Sequence, residues 1–161
     1  LSVKSEGEGK GSEFIVRLPA LAAEALRAAD RPEAPPREPR RPLSILIVDD
    51  NEEAADGLAR LLALRGHHTR VAYDGRRAIE AAAAIEPDLI ILDIGLPDLD
   101  GYEVARELKK GRVRAWLMAL SGYGQSEDKK KAREAGFDFH LTKPIGLAEL
   151  DPIVAELSSR A

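Results

Sequence analysis

From Leu43 to the end of the chain, short apolar runs alternate with stretches whose apolar residues recur at helical spacing. LSILIV (43–48) and DLIILD (88–93) are too short for helices and lack polar alternation, the pattern of strands buried on both faces of a parallel sheet. AWLMALS (115–121) reads as another strand, HHTRVAY (67–73) as a weaker one and FDFHLT (137–142) as the fifth. Between them lie helical stretches. EEAADGLARLLALRG carries Leu58, Leu61 and Leu62 on one face and stops at Gly66. GRRAIEAAAAIEP is closed by Pro87, and DGYEVARELKKG starts at an Asp100 cap and ends at Gly111. SEDKKKAREAG starts from a Ser126 cap. IGLAELDPIVAELSSR closes the chain, with Pro152 arguing against its continuity. Five β–α pairs in alternation predict an α/β domain, a parallel sheet with helices on both faces.

The first 42 residues follow no such rhythm. In residues 1–19 a Gly-rich stretch precedes FIVRL, where alternation at Phe14, Val16 and Leu18 predicts a short strand. Residues 20–30 are Ala-rich and compatible with a short helix. Residues 31–42 hold five of the ten prolines among many charges. This makes 20–42 an Ala/Pro-rich linker, semi-rigid and unable to build a core.

Composition narrows the classes. Hydrophobic residues make up 44% of the 161, which suits a globular core, and no apolar run approaches a membrane span. No signal-peptide pattern opens the chain. Cysteine is absent, which rules out disulfides and thiolate metal sites and is compatible with a cytoplasmic location. A formal charge of −4 offers no basic excess for nucleic acid. His67, His68 and His140 have no zinc-type spacing; the first two read as exposed strand-edge residues. Lys129–Lys131 read as the solvated face of a helix, and Trp116 as packing.

The candidate chemistry lies at the strand ends, where ligand sites of open α/β sheets are found. The first strand of the domain ends in Asp49-Asp50, the third in Asp93, the fourth in Ser121 and the fifth in Thr142-Lys143-Pro144. One helix cap needs one acid; two after a buried strand exceed that need. If the first and third strands are neighbours, three carboxylates converge with a hydroxyl and an ammonium beside them. Unpaired, they would raise one another's pKa or weaken the fold. A divalent cation resolves this, and Mg²⁺ takes carboxylate oxygens while retaining waters and phosphate oxygens. A carboxylate can also attack phosphorus to give an aspartyl phosphate. Asp98 and Asp100 fit turn and cap roles better than ligation. No glycine-rich phosphate loop follows the first strand, which disfavours a nucleotide-binding module. A phosphatase of the paired-aspartate kind is disfavoured because Ile94 and Gly95 follow Asp93.

LIVDDN, PDLIILDIGLPDLDGYEVA, ALSGYG and AGFDFHLTKPI together resemble the response-regulator receiver domain over residues 43–160. The resemblance implies a doubly wound, flavodoxin-like five-stranded sheet of order 2-1-3-4-5. It implies a phosphoacceptor at Asp93 that takes a phosphoryl group from a phosphohistidine on a kinase domain or phosphotransfer protein. Asp49, Asp50, Asp93 and the Gly95 carbonyl would hold Mg²⁺, with Asp50 the more direct ligand of the first pair. Lys143, before a cis Pro144, would contact the phosphoryl group, and Ser121 would be the switch hydroxyl. His140 stands where receivers often carry Tyr or Phe, so the second switch residue titrates near neutral pH. Gly95 and Tyr123 lie beside the site, where they would tune water access.

SVKSEGEGKGSEFIVRLP is similar to the end of the ATP-binding domain of sensor histidine kinases, where a Gly-rich turn joins two last strands. That likeness, over residues 1–19, implies the C-terminal piece of a hybrid histidine kinase. No DNA-binding segment follows Ala161, so output is expected to pass through a phosphorelay or back to the kinase. The alternative is a phosphorylation-independent module that regulates the kinase by contact.

Overall fold

The structure is a computed structural model and describes residues 2–5, 7, 11–15, 41–122 and 126–160. The Ala-rich stretch, most of the proline-rich stretch and Tyr123 lie outside these residues. The chain divides into two compact units, Leu1–Glu38 and Pro39–Ala161. In the first, β1 (Ser2–Ser5) and β2 (Ser12–Ile15) pair antiparallel, with Val3 opposite Phe14.

The second unit alternates strand and helix throughout. Its elements are β3 (Ser44–Val48), α1 (Glu52–Leu64), β4 (His68–Ala72), α2 (Gly75–Ile85), β5 (Leu89–Asp93), α3 (Gly101–Lys110), β6 (Trp116–Ser121), α4 (Ser126–Ala135), β7 (Phe139–Thr142) and α5 (Leu147–Arg160). The five strands are parallel in the order β4-β3-β5-β6-β7, the expected 2-1-3-4-5.

Period-two alternation along each strand splits the core into two layers. Leu46, Val48, Ile90, Leu92, Leu117 and Ala119 face α2, α3 and α4. Ile45, Ile47, Leu89, Ile91, Met118 and Leu120 face α1 and α5. Every residue of β5 is buried, as a central strand covered on both faces requires.

Local signals set the ends of the helices. Gly66, at φ +91°, follows the α1 cap Arg65, and the amides of Gly66 and His67 bond back to Ala63 and Leu62. Asp100 caps α3 by accepting from the Tyr102 amide, and Gly111 ends it. Ser126 is the first residue of α4; its side chain lies outside the described residues. Pro152 sits inside α5 without breaking it. It forfeits one helical hydrogen bond, while buried Leu150, Val154 and Leu157 hold the helix against the sheet.

Two further expectations change. His67 is half-buried, and its Nδ1 accepts from the Leu43 amide at 3.2 Å, which ties the turn after α1 to the start of β3; only His68 is exposed. Trp116 is 39% exposed, with its ring 5.9 Å from Phe139, so it packs on one side only. Lys129, Lys130 and Lys131 are exposed, as a solvated helix face requires.

Candidate functional site

The pairing of β3 with β5 brings the acids together. Ile45 is opposite Leu89 and Val48 opposite Leu92, so the two strands end side by side. Asp49 and Asp50 follow one and Asp93 ends the other. Each of the three offers a carboxylate oxygen, and these atoms lie within 4.8 Å of one another. Asp49 and Asp93 are buried, at 4% and 6% exposure, and Asp50 is exposed.

β7 supplies the counter-charge. Its pairing with β6 continues past Ser121↔Thr142, as the Lys143 amide donates to the Ser121 carbonyl at 2.8 Å. The Lys143 ammonium then reaches both strand ends, with Nζ 2.8 Å from Asp49 Oδ2 and 2.9 Å from Asp93 Oδ2. Burial alone would lower the lysine pKa. The hydrogen bonds to Asp49 and Asp93 outweigh it and hold the ammonium above its ordinary value. The Lys143–Pro144 bond is cis, as the resemblance implied.

Backbone amides fix the carboxylates from the other side. Asp49 Oδ1 accepts from the Asn51 amide at 3.0 Å, and Asp93 Oδ1 from the Gly95 amide at 3.2 Å. Asn51, not either aspartate, caps α1: its side chain accepts from the Ala54 amide. The acid pair is thereby left to the pocket. Asn directly before a helical stretch is a cap signal, and the adjacent acids drew attention from it. Gly95 lies over the Asp93 carboxylate, since a Cβ there would sit 3.7 Å from Oδ2.

Sequence reasoning missed Gly101 altogether. A Cβ on it would fall 2.5 Å from the Asp93 carbonyl oxygen and 2.7 Å from Ile94 Cα, so α3 starts against the backbone that carries Asp93. Glycine in the first turn of a helix is a poor helix former, and that was the available signal. Asp98 turns to the start of α2, where both its oxygens lie 3.2 Å from the Gly75 amide. Desolvation pushes this carboxyl up, and backbone hydrogen bonds led by Gly75 more than reverse it, leaving its pKa lowered.

Ser121 is buried at the end of β6, and its Oγ lies 3.0 Å from His140 Nε2. Burial, with Lys129 adding to it, holds the imidazole below the ordinary histidine value against the opposing pull of Asp128. Asp49, Asp50, Asp93, Ser121 and Lys143 thus reach the same end of the sheet: three acids whose carboxylate oxygens lie within 4.8 Å, a lysine bonded to two of them, and a hydroxyl engaged by a histidine.

Residues 45–155 match the family model described as the response regulator receiver domain. The chain belongs to the response-regulator receiver family. A receiver from Francisella, response regulator 1452, superposes with TM-score 0.69 at 30% identity, covering 73% of this chain and 98% of that one. The receiver domain of the yeast response regulator Ssk1, from a co-crystal with the histidine phosphotransfer protein Ypd1, covers 76% of this chain and 92% of that chain, at TM-score 0.71 and 25% identity. Among curated proteins, response regulator MprA of Mycolicibacterium vanbaalenii is 35% identical over 68% of this chain. Sensor histidine kinase AtsR of Burkholderia thailandensis is 33% identical over 94% of it. The receiver chain spans 47% of the first of these relatives and 26% of the second. No helix among the described residues is long and apolar enough to cross a membrane.

Proposed function

We propose that Asp93 of this receiver accepts a phosphoryl group from a phosphohistidine, with Mg²⁺ bound by Asp49, Asp50, Asp93 and the Gly95 carbonyl. The carrying observation is the pocket itself. Three carboxylates from two strand ends lie within 4.8 Å, two of them buried, and Lys143 is bonded to those two, Asp49 and Asp93. One ammonium against three carboxylates leaves an excess of negative charge that a hard divalent cation with oxygen ligands fits. When bound, Mg²⁺ would neutralise charge on the phosphoryl oxygens.

The chain's own groups do the rest. A carboxylate oxygen of Asp93 forms the new O–P bond as the P–N bond to the donor imidazole breaks. The Gly95 amide and Lys143 fix the carboxylate for attack. Lys143 then follows the charge from carboxylate to phosphoryl oxygen, and Ser121 donates to another phosphoryl oxygen. The new bond replaces a compact anion with a larger one, and Ser121 and His140 carry that change to the surface beside α4.

The co-crystal of a related receiver with a phosphotransfer protein supports a phosphohistidine donor for this one. Similarity to a sensor kinase over 94% of the chain, more than the receiver domain occupies, supports a hybrid histidine kinase as the parent. On that reading residues 1–19 end a kinase ATP-binding domain, 20–42 link, and 43–160 receive, in the cytoplasm. Beryllofluoride with Mg²⁺ tests the assignment by ¹⁹F NMR. A bound-fluoride signal is expected for the wild type and none for Asp93→Asn. Identical spectra from the two would leave only a regulatory contact module.

A further inference from the structure

Helix α2 has two caps, and they come from distant parts of the chain. Asp74, just before the helix, accepts from the Arg77 amide at 2.7 Å, the ordinary local arrangement. The second acceptor is Asp98, 23 positions beyond Gly75, whose two oxygens each lie 3.2 Å from the Gly75 amide. Gly75 is buried, so water is a poor substitute for that carboxylate. A Cβ on Gly75 would fall 2.7 Å from Val104 Cγ2 and 3.1 Å from Leu99 Cβ, so the helix starts hard against the segment that carries Asp98.

The same segment, between Asp93 and α3, carries Gly95, whose carbonyl the proposed function gives to Mg²⁺. Its ends are held by backbone bonds: the Ile94 amide donates to the Leu120 carbonyl at 2.9 Å, and the Gly101 amide to the Ile94 carbonyl at 3.1 Å. Between those ends Leu96 and Leu99 turn toward the core, while Gly95, Pro97 and Asp98 are exposed. Mg²⁺ demands near-ideal octahedral geometry, so a carbonyl on an exposed glycine serves it only where the backbone is fixed. Groups that hold metal ligands in place typically carry about 10–100-fold of the affinity. We propose that Asp98 is a positioning residue: through the Gly75 amide it pins the segment between Asp93 and α3 to the start of α2, and so fixes the Gly95 backbone beside Asp93 for the metal. The metal half rests on the function proposed above; the pinning of Gly95 does not.

Asp98 is also a charge, and a carboxylate attracts a cation whether or not it holds a backbone in place. The two roles separate with salt. Attraction between a cation and an exposed carboxylate is screened, whereas a displaced Gly95 carbonyl stays displaced at any ionic strength. They separate by substitution as well. Asn at position 98 removes the charge and keeps one acceptor oxygen for the Gly75 amide, while Ala removes both. Asp74 supplies the control, because it caps the same helix without touching the segment that carries Gly95.

Amide NMR of the whole chain tests this, first without metal. The reporter is the Gly95 amide, which donates to Asp93 Oδ1. Asp98→Ala is expected to shift its signal and to speed its exchange with solvent several-fold, Asp98→Asn to do so less, and Asp74→Ala to leave it near wild type. A Gly95 amide unmoved in Asp98→Ala, or moved equally in Asp74→Ala, would overturn the proposal. The second arm titrates each protein with Mg²⁺ at low salt and at about 0.5 M salt. Asp98→Ala is expected to bind Mg²⁺ several-fold more weakly than wild type at both, with Asp98→Asn between them. A deficit that disappears at high salt assigns the effect to charge and overturns the positioning role, and equal affinities overturn its metal half. Wild type that binds no Mg²⁺ defeats the metal assignment itself, and the Gly95 amide still decides whether Asp98 pins the segment.

Discussion

β5 and β7 feed the same pocket and are built in opposite ways. β5 is hydrogen-bonded to β3 on one side and β6 on the other, and all five of its residues are buried. β7 is bonded to β6 alone, and all four of its residues are half-buried. The central strand delivers Asp93, the group on which a bond is to form. The outer strand carries His140 and leads into Lys143, the groups that must follow the new charge. A backbone bonded on both edges and packed on both faces opens only with the whole domain, whereas an outer strand can adjust at lower cost. The precise element and the adjustable element are thus set by position in the sheet.

The largest effect should come from the central strand. Ile91→Ala should cost about 2–5 kcal/mol, a large share of a total stability of about 5–15 kcal/mol. Leu141→Ala, in half-buried β7, should cost less than half as much in urea unfolding. Equal losses would break the comparison.

Glycine substitutions sharpen it next. Gly101→Ala forces a methyl against the Asp93 carbonyl and Ile94 Cα and should cost about 1–3 kcal/mol, with weaker beryllofluoride binding besides. Gly146→Ala, after β7, meets nothing within 4 Å and should be neutral or slightly stabilising by the same thermal scans.

Lys143→Met tests the bridge between the two strands through pH. The folded pKa of Lys143 is raised above 10.5, so its contribution is complete below that pH and fades as pH rises through the higher folded value. The variant should be less stable than wild type at pH 8, and the two urea midpoints should converge on the alkaline side. A constant gap would mean that the ammonium is not the source.

The smallest effect belongs to Asp98, exposed at the start of α2. Its pKa is lowered from 3.8, so the stability it adds is present above that pH and is lost as pH falls through the folded value. Asp98→Asn should lower Tm slightly at pH 6 and flatten the acid limb of Tm against pH; an unchanged limb would remove Asp98 from the account.

The contrast between the strands also explains what could be read in advance. LSILIV and DLIILD announce themselves because a strand covered on both faces must be apolar throughout. FDFHLT, half-covered, gives a weaker pattern, and its first two residues fall outside the strand. The convergence of the acids needed β3 and β5 to be neighbours, which apolar runs do not specify and the resemblance supplied. The double bridge from Lys143 joins residues 94 positions apart and has no local signature. His67 was misread because its partner is the backbone amide of Leu43, 24 positions away, and not a side chain with a pattern of its own. Asn51 was legible as a cap and was hidden by the acids beside it.

The most direct test of the central claim is the site of phosphate incorporation. The protein is incubated with acetyl phosphate and Mg²⁺, reduced with borohydride so that an aspartyl phosphate becomes homoserine, and cut with trypsin. Homoserine is expected at position 93, in the peptide spanning residues 78–106, and only when Mg²⁺ is present. Aspartate intact at position 93, or homoserine formed equally without the metal, would contradict the account.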